Sequence, residues 1–143
     1  MLQAAFVVLF ASTYDGIFRG TDVLRVPETI IRRMADRIGL YPATVATSVV
    51  TSMVACNQTL AVMMTQELMD GPASSAGASA EDRAMALENS VILIAPLIPW
   101  NIAVSAGLAV LEIGPGAIPY AAFLWLVPLC GLIRHAVRAR RRD

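Results

Sequence analysis

The chain has 143 residues, 57% of them hydrophobic and 15% charged, with zero formal net charge and a mean hydropathy of +0.63. So few polar residues cannot cover the surface of a soluble domain of this length, which excludes that class. The apolar residues instead collect in long, nearly uncharged blocks, the pattern of membrane segments.

Residues 1–18 carry one charge, Asp15. As a helix they would measure about 27 Å, just short of a hydrocarbon core of about 30 Å. No basic residue precedes this run, so it is not a secretory signal. The chain reads as starting inside a membrane helix, as a fragment of something longer. Residues 19–41 form a polar connector. Within it Pro27 can open a helix, and Ile30, Ile31, Met34 and Ile38 share one side. Glu28, Arg32, Arg33, Asp36 and Arg37 fill the remainder, as in an amphipathic helix lying at the membrane interface.

Residues 42–69 are interrupted by a polar island, Cys56-Asn57-Gln58-Thr59. They can cross once, or fold as a re-entrant hairpin with arms from Pro42 to Val54 and back to Met69 around a tip at 55–59. Each arm would be roughly 20 Å, too short to cross alone. Charge favours the hairpin. All eleven basic residues are Arg, and five of them lie between Arg134 and Arg142. If that tail is cytoplasmic, a spanning second segment puts Arg19, Arg25, Arg32, Arg33 and Arg37 outside. A hairpin keeps every Arg on the cytoplasmic side.

Residues 70–88 then form a cytoplasmic loop, flexible and rich in small residues over 70–80. Residues 89–112 are a transmembrane helix broken by a second island, Pro96-Leu97-Ile98-Pro99-Trp100-Asn101, because each proline lacks a donor and clashes with the preceding turn. Gly114-Pro115-Gly116 turns the chain outside. Residues 117–137 make the last crossing and 138–143 a basic cytoplasmic tail. The expected fold is all-α: a polytopic integral membrane protein with a re-entrant helical hairpin and a proline-broken transmembrane helix.

A helix break facing lipid is prohibitive, since its backbone groups lack partners; breaks survive where protein or a water-filled cavity receives them. Asn57, Gln58 and Thr59 bring carbonyl and hydroxyl oxygens to membrane depth. Hard cations such as sodium take oxygen ligands, and opposed half-helices add dipole ends. The plainer alternative is that these polar groups only hold helices together. In the second island Pro96 and Pro99 free carbonyls one turn back, and Asn101 offers an amide; Trp100 reads mainly as packing.

Glu88, Asn89 and Ser90 stand at the expected start of the broken helix. Asn89 or Ser90 can cap it, with Glu88 favoured by the helix dipole. Alternatively Glu88 exchanges protons with a cation site, and Asp15 is the other candidate acid. His135 reads as a surface group, and the Arg tail as a topology anchor that attracts anionic lipid. Cys56 and Cys130 suggest neither a disulfide nor a metal site. With no phosphate loop, metal-ligand cluster or nucleophile–His pairing, an enzyme has no support, and nucleic acid is not an expected partner of a membrane-tethered tail.

The run Ala55-Cys56-Asn57-Gln58-Thr59-Leu60-Ala61, followed by Leu87-Glu88-Asn89-Ser90 and Ala95-Pro96-Leu97-Ile98-Pro99-Trp100-Asn101, resembles the NhaC family of sodium/proton antiporters. The likeness covers about residues 42–123 and only the C-terminal part of family members, which are several times longer. It implies a secondary transporter of the ion-transporter superfamily, built from two inverted repeats whose hairpins and broken helices meet at a central ion site. Asn57, Gln58, Thr59, Pro99 and Asn101 match motif positions near that site. Glu88 and Ser90 match a Leu-Glu-Asp-Ser stretch, in which Asn89 replaces the Asp of many relatives and leaves the coupling ion and stoichiometry open.

The resemblance implies sodium/proton exchange by alternating access, with no cofactor beyond the transported sodium ion and proton. The expected setting is the bacterial inner membrane, multi-pass, with a cytoplasmic C-terminal tail. Expected partners are the lipid bilayer and the missing N-terminal half of the transporter, with a homodimer left open. The family also includes exchangers of organic acids and amino acids, so the alternatives are such an exchanger or a non-transporting subunit or gene remnant.

Overall fold

The computed structural model describes residues 25–140, and every regular element among them is helical. In chain order these are α1 (Arg25–Ile38), α2 (Leu40–Val54), α3 (Gln58–Ser75), α4 (Ala80–Glu88) and α5 (Val91–Ile94), the last running into a 3-10 turn (Ala95–Leu97). After a break come α6 (Ile102–Leu111), a 3-10 stretch (Pro115–Tyr120) and α7 (Ala122–Arg140). The segment expected over residues 1–18, with Asp15, lies outside the described residues.

The core is an antiparallel pair, α2 and α3. Helix α2 stops where Ala55 turns extended (φ −81°, ψ 121°), and Asn57 restarts the chain by accepting the Thr59 N–H on its side-chain oxygen at 2.8 Å. Asn at this position satisfies one of the donors that every helix start leaves orphaned. The two arms keep register away from the tip: Thr51 meets Thr65, and a turn farther Thr47 meets Met69. Apolar residues pack in two clusters along this pair. Ala55, Leu60, Ala61, Met64 and Val91 fill the tip end, while Ile31, Ala43, Leu68 and Met69 fill the open end.

Helix α1 lies across the open end, with Ile31 buried and Met34 packed against it. The expected four-residue stripe splits there, because Ile30 and Ile38 remain 64% and 47% exposed. Gly39 links α1 to α2 at φ +93°, a left-handed conformation open to glycine. The approach of α7 adds a steric reason, since a Cβ on Gly39 would stand 2.5 Å from the His135 ring. His135 is therefore half-buried and packed rather than free on the surface.

Residues 70–80, expected as a flexible loop, are ordered by local signals. Helix α3 continues through Pro72 to Ser75 and closes as a Schellman motif: Ala78 N–H bonds Ala73 O at 3.0 Å and Gly77 N–H bonds Ser74 O at 3.1 Å, with Gly77 at φ +66°. Ser79 and Asp82 then form a capping box that starts α4. The turn is fastened by Arg83, which donates to Asp70 Oδ1 at 2.8 Å, Ser74 Oγ at 3.2 Å and the Ala78 carbonyl at 3.2 Å.

The proline-rich island does break the helix: Ala80–Leu97 and Ile102–Leu111 meet at a 57° bend. Among the described residues no single helix is long and apolar enough to cross a membrane, whereas this bent pair has the length and composition to do so. The last expected crossing, 117–137, begins as a helix only at Ala122, because Pro115 and Pro119 hold the preceding residues in a 3-10 stretch.

Candidate functional site

The two polar islands are bonded to each other. An α-helix leaves its last carbonyls and first N–H groups without partners, and here one island's surplus answers the other's. The Met53 carbonyl, in the last turn of α2, accepts from the Trp100 indole N–H at 3.1 Å. The Cys56 carbonyl accepts the Ile102 backbone N–H at 2.9 Å. Between them Asn101 Nδ2 reaches the Ala55 carbonyl at 3.5 Å. Asn101 is fully buried, and its Oδ1 caps α6 by accepting the Ala103 N–H at 3.0 Å. The C-terminal end of α2 thus faces the N-terminal end of α6, each end carrying about half an elementary charge of opposite sign.

A second link joins the islands from the other direction. Pro96 has no N–H to give the Ile92 carbonyl four residues back, and Gln58 Nε2 donates to that carbonyl instead, at 3.3 Å. The amide of Gln58 replaces the helical bond that proline removes.

The remaining residues singled out from sequence divide clearly. Asn57 and Gln58 are half-buried at the tip, one capping α3 and the other bridging to Ile92, while Thr59 is exposed. Pro99 is exposed at the bend. Trp100, expected chiefly to pack, is 54% exposed and contributes its indole hydrogen bond. Glu88 is exposed and ends α4 rather than opening a helix, so the dipole does not favour an acid there. Asn89 closes α4 by donating to the Met85 carbonyl at 2.8 Å, and its own carbonyl accepts from the Tyr41 hydroxyl at 3.2 Å. Ser90 precedes α5 without capping it; its hydroxyl bonds back to Ala86 O. Asn101 is joined to the tip carbonyl of Ala55 and Gln58 to the Ile92 carbonyl across the islands, and Glu88 and Thr59 are not drawn into that network by any of these bonds.

Sequence reasoning overlooked a seam of hydroxyls inside the bundle. Thr44, Thr47, Ser48, Thr51 and Ser52 lie along one face of α2 and are all buried, as are Thr65 and Ser90 opposite. Ser48 Oγ is 3.1 Å from Ser90 Oγ, and Thr51 Oγ1 is 2.7 Å from Thr65 Oγ1. Their spacing of three and four residues in an otherwise apolar helix is the signal that was legible.

Comparison with known proteins gives this arrangement a family. The model of the Na+/H+ antiporter family matches residues 1–135. The Na(+)/H(+) antiporter NhaC of Alkalihalophilus pseudofirmus is 23% identical over 139 residues, a stretch that covers 93% of this chain and 29% of that protein. The chain thus spans under a third of the length of this relative. No solved structure matches. Matched over nearly its whole length, the chain belongs to the Na+/H+ antiporter family, a family of transporters.

Proposed function

We propose that this chain supplies part of the ion pathway of a secondary transporter that exchanges sodium for protons across a cell membrane by alternating access. The observation that carries this reading is the direct bonding of the α2–α3 tip to the break before α6, through Trp100, Asn101 and Ile102. Backbone carbonyls at a helix C-terminus are good ligands for a small cation, and half-helix ends at a break supply them. The relevant carbonyls here are those of Met53, Ala55 and Cys56, each held by a donor that a cation would have to displace.

In this mechanism Asn101 and Trp100 act as the gate donors. With no ion bound their N–H groups satisfy the tip carbonyls; with sodium bound those oxygens turn to the ion and the islands shift relative to one another. Asn57, Gln58, Thr59, Pro99 and Ser90 shape the two sides of the site. Glu88, and Asp15 in the first segment, are the acids proposed to carry the exchanged proton. The α2–α3 pair enters the bilayer as a re-entrant hairpin, with the Arg-rich ends of the chain cytoplasmic, and the remainder of the transporter supplies the other half of the site.

The test is exchange in everted membrane vesicles from cells lacking their own sodium exchangers, with this chain expressed alongside the rest of the transporter. An imposed sodium gradient is expected to drive proton movement in the opposite direction. Exchange of an organic acid or amino acid with no sodium-driven proton movement would overturn the reading.

A further inference from the structure

Helix α7 presents one face to α2, and a glycine on each side lets the other come close. A Cβ on Gly131 of α7 would fall on the Tyr41 phenol, whose oxygen is the nearest atom, just as a Cβ on Gly39 would fall on the His135 ring. Buried Pro128 precedes Gly131 by one turn and His135 follows it by another, so the three share a side of the helix. Glycine weakens a helix interior; at position 131 it gives the phenol room.

What Tyr41 does in this notch is visible at its hydroxyl, which donates to the Asn89 carbonyl at 3.2 Å. Asn89 is where α4 ends, and the last carbonyls of a helix have no partner on their own helix. The next ladder begins one residue later, since the N–H groups of Leu93 and Ile94 both go to the Ser90 carbonyl. Tyr41 therefore serves a carbonyl that falls between two helices. Ser90 turns the chain there (φ −129°, ψ −88°), and its hydroxyl meets that of Ser48 at 3.1 Å. Tyr41 and Ser48 stand two turns apart along one face of α2. That single face holds both residues of the kink, and α2, α5 and α7 touch pairwise around it.

Glu88 ends α4 on one side of the kink, and Ser90 leads into α5 on the other. The angle between them is set at Asn89, the residue that Tyr41 holds.

We propose that Tyr41 is a positioning residue of the exchange path: wedged into the Gly131 notch, it holds the Asn89 carbonyl and so fixes Glu88, the acid proposed above to carry the proton, relative to Ser90. The part in exchange rests on the exchange reading above; the brace at the kink does not. The Tyr41 hydroxyl acts through Asn89 and, among the described residues, has no bond to the Met53, Ala55 or Cys56 carbonyls. Loss of the phenol oxygen therefore slows turnover and leaves the sodium requirement where it is.

The test has two arms. In the purified full chain in lipid nanodiscs, hydrogen exchange at the Asn89 and Ser90 amides reports the kink. Tyr41→Phe, which removes only the oxygen, is expected to speed it about fivefold, the scale of one neutral hydrogen bond. Gly131→Ala, which leaves no room for the phenol, should do at least as much, and adding Tyr41→Phe to it should do no more. In vesicles holding the assembled transporter, Tyr41→Phe should lower the maximal rate per folded transporter about fivefold at an unchanged sodium requirement. A merely structural role would move the melting midpoint and leave that rate alone. Wild-type amide exchange at the kink in both variants would overturn the brace. Faster amide exchange with a wild-type maximal rate would overturn the positioning role and leave sodium/proton exchange standing. Faster amide exchange in a transporter whose wild type moves no protons would leave the brace and remove the exchange reading.

Discussion

Cys56 and Ile102 stand 46 positions apart in sequence, and the backbone carbonyl of one accepts the backbone N–H of the other at 2.9 Å. Cys56 lies in the turn between the end of α2 at Val54 and the start of α3 at Gln58, and Ile102 is the first residue of α6, so the bond ties the hairpin tip to the restart of the broken helix. It needs no particular side chain. What it needs is two breaks at the right depth, and the side chains around it maintain those breaks.

Asn101 has the largest share in this. Asn101→Ala removes the α6 cap and the contact to Ala55, and should cost about 1–2 kcal/mol of stability. Asn101→Asp keeps the cap oxygen but sets a carboxylate against the Ala55 carbonyl in a buried place. It should melt below the Ala variant at neutral pH and recover when acidified enough to protonate the new acid. Melting of the purified chain at two pH values checks both.

Gln58 and Pro96 should be coupled. With Pro96 present, Gln58→Ala leaves the Ile92 carbonyl without its donor and should cost about 0.5–1.5 kcal/mol. In a Pro96→Ala background the backbone N–H returns, and the same substitution should cost close to nothing. A double-mutant cycle on melting stability measures the difference directly. Additivity would show that Gln58 does not compensate for the proline.

Gly77 should tolerate substitution according to backbone conformation alone, because nothing lies within 4 Å of where a Cβ would be. Gly77→Ala at φ +66° is expected to cost about 1 kcal/mol. Gly77→Asn should cost less. Amide exchange at Ala78, whose N–H closes the α3 terminus, should accelerate in the same order.

The start of α4 should respond to acid. Hydrogen bonds from the Ser79 hydroxyl, then from its backbone N–H, hold the Asp82 pKa below the ordinary Asp value. A lowered folded value means that this contribution is complete above the ordinary Asp range and is lost as pH falls through the lowered value. Amide exchange over residues 80–83 should rise in that acidic window. Ser79→Ala should raise exchange at neutral pH and return the Asp82 titration toward ordinary Asp.

The breaks were legible in the sequence because they are local: Pro96 and Pro99 mark an end, and the polar run at 56–59 a turn. The caps were misplaced, since the one expected at Asn89 or Ser90 is absent and the side chains that do cap are Asn57 and Asn101. Gly77 and the Ser79–Asp82 box are equally local, yet a stretch of small residues conceals them when it is judged by composition. The hydroxyl seam was harder to see, since Thr and Ser in an apolar helix do not interrupt its hydropathy. Their common face appears only when 44, 47, 48, 51 and 52 are placed on a helical wheel. Cross-island bonds such as Trp100 to Met53 depend on how distant segments pack, which no local pattern encodes. Glu88 shows the same limit in reverse. Its place at the end of α4 follows from the kink at Asn89–Ser90, which a continuous apolar run does not reveal.

The most direct measurement is the sodium dependence of proton movement in vesicles that hold the assembled transporter, compared between wild type and Asn101→Ala. If the islands form one ion site, wild type exchanges sodium for protons. The Asn101 variant, which lacks the donor that sodium has to displace from the Ala55 carbonyl, then needs less sodium for half-maximal rate. Exchange by the variant at an unchanged sodium requirement, or no sodium-driven proton movement by wild type, would contradict a shared site at the two islands.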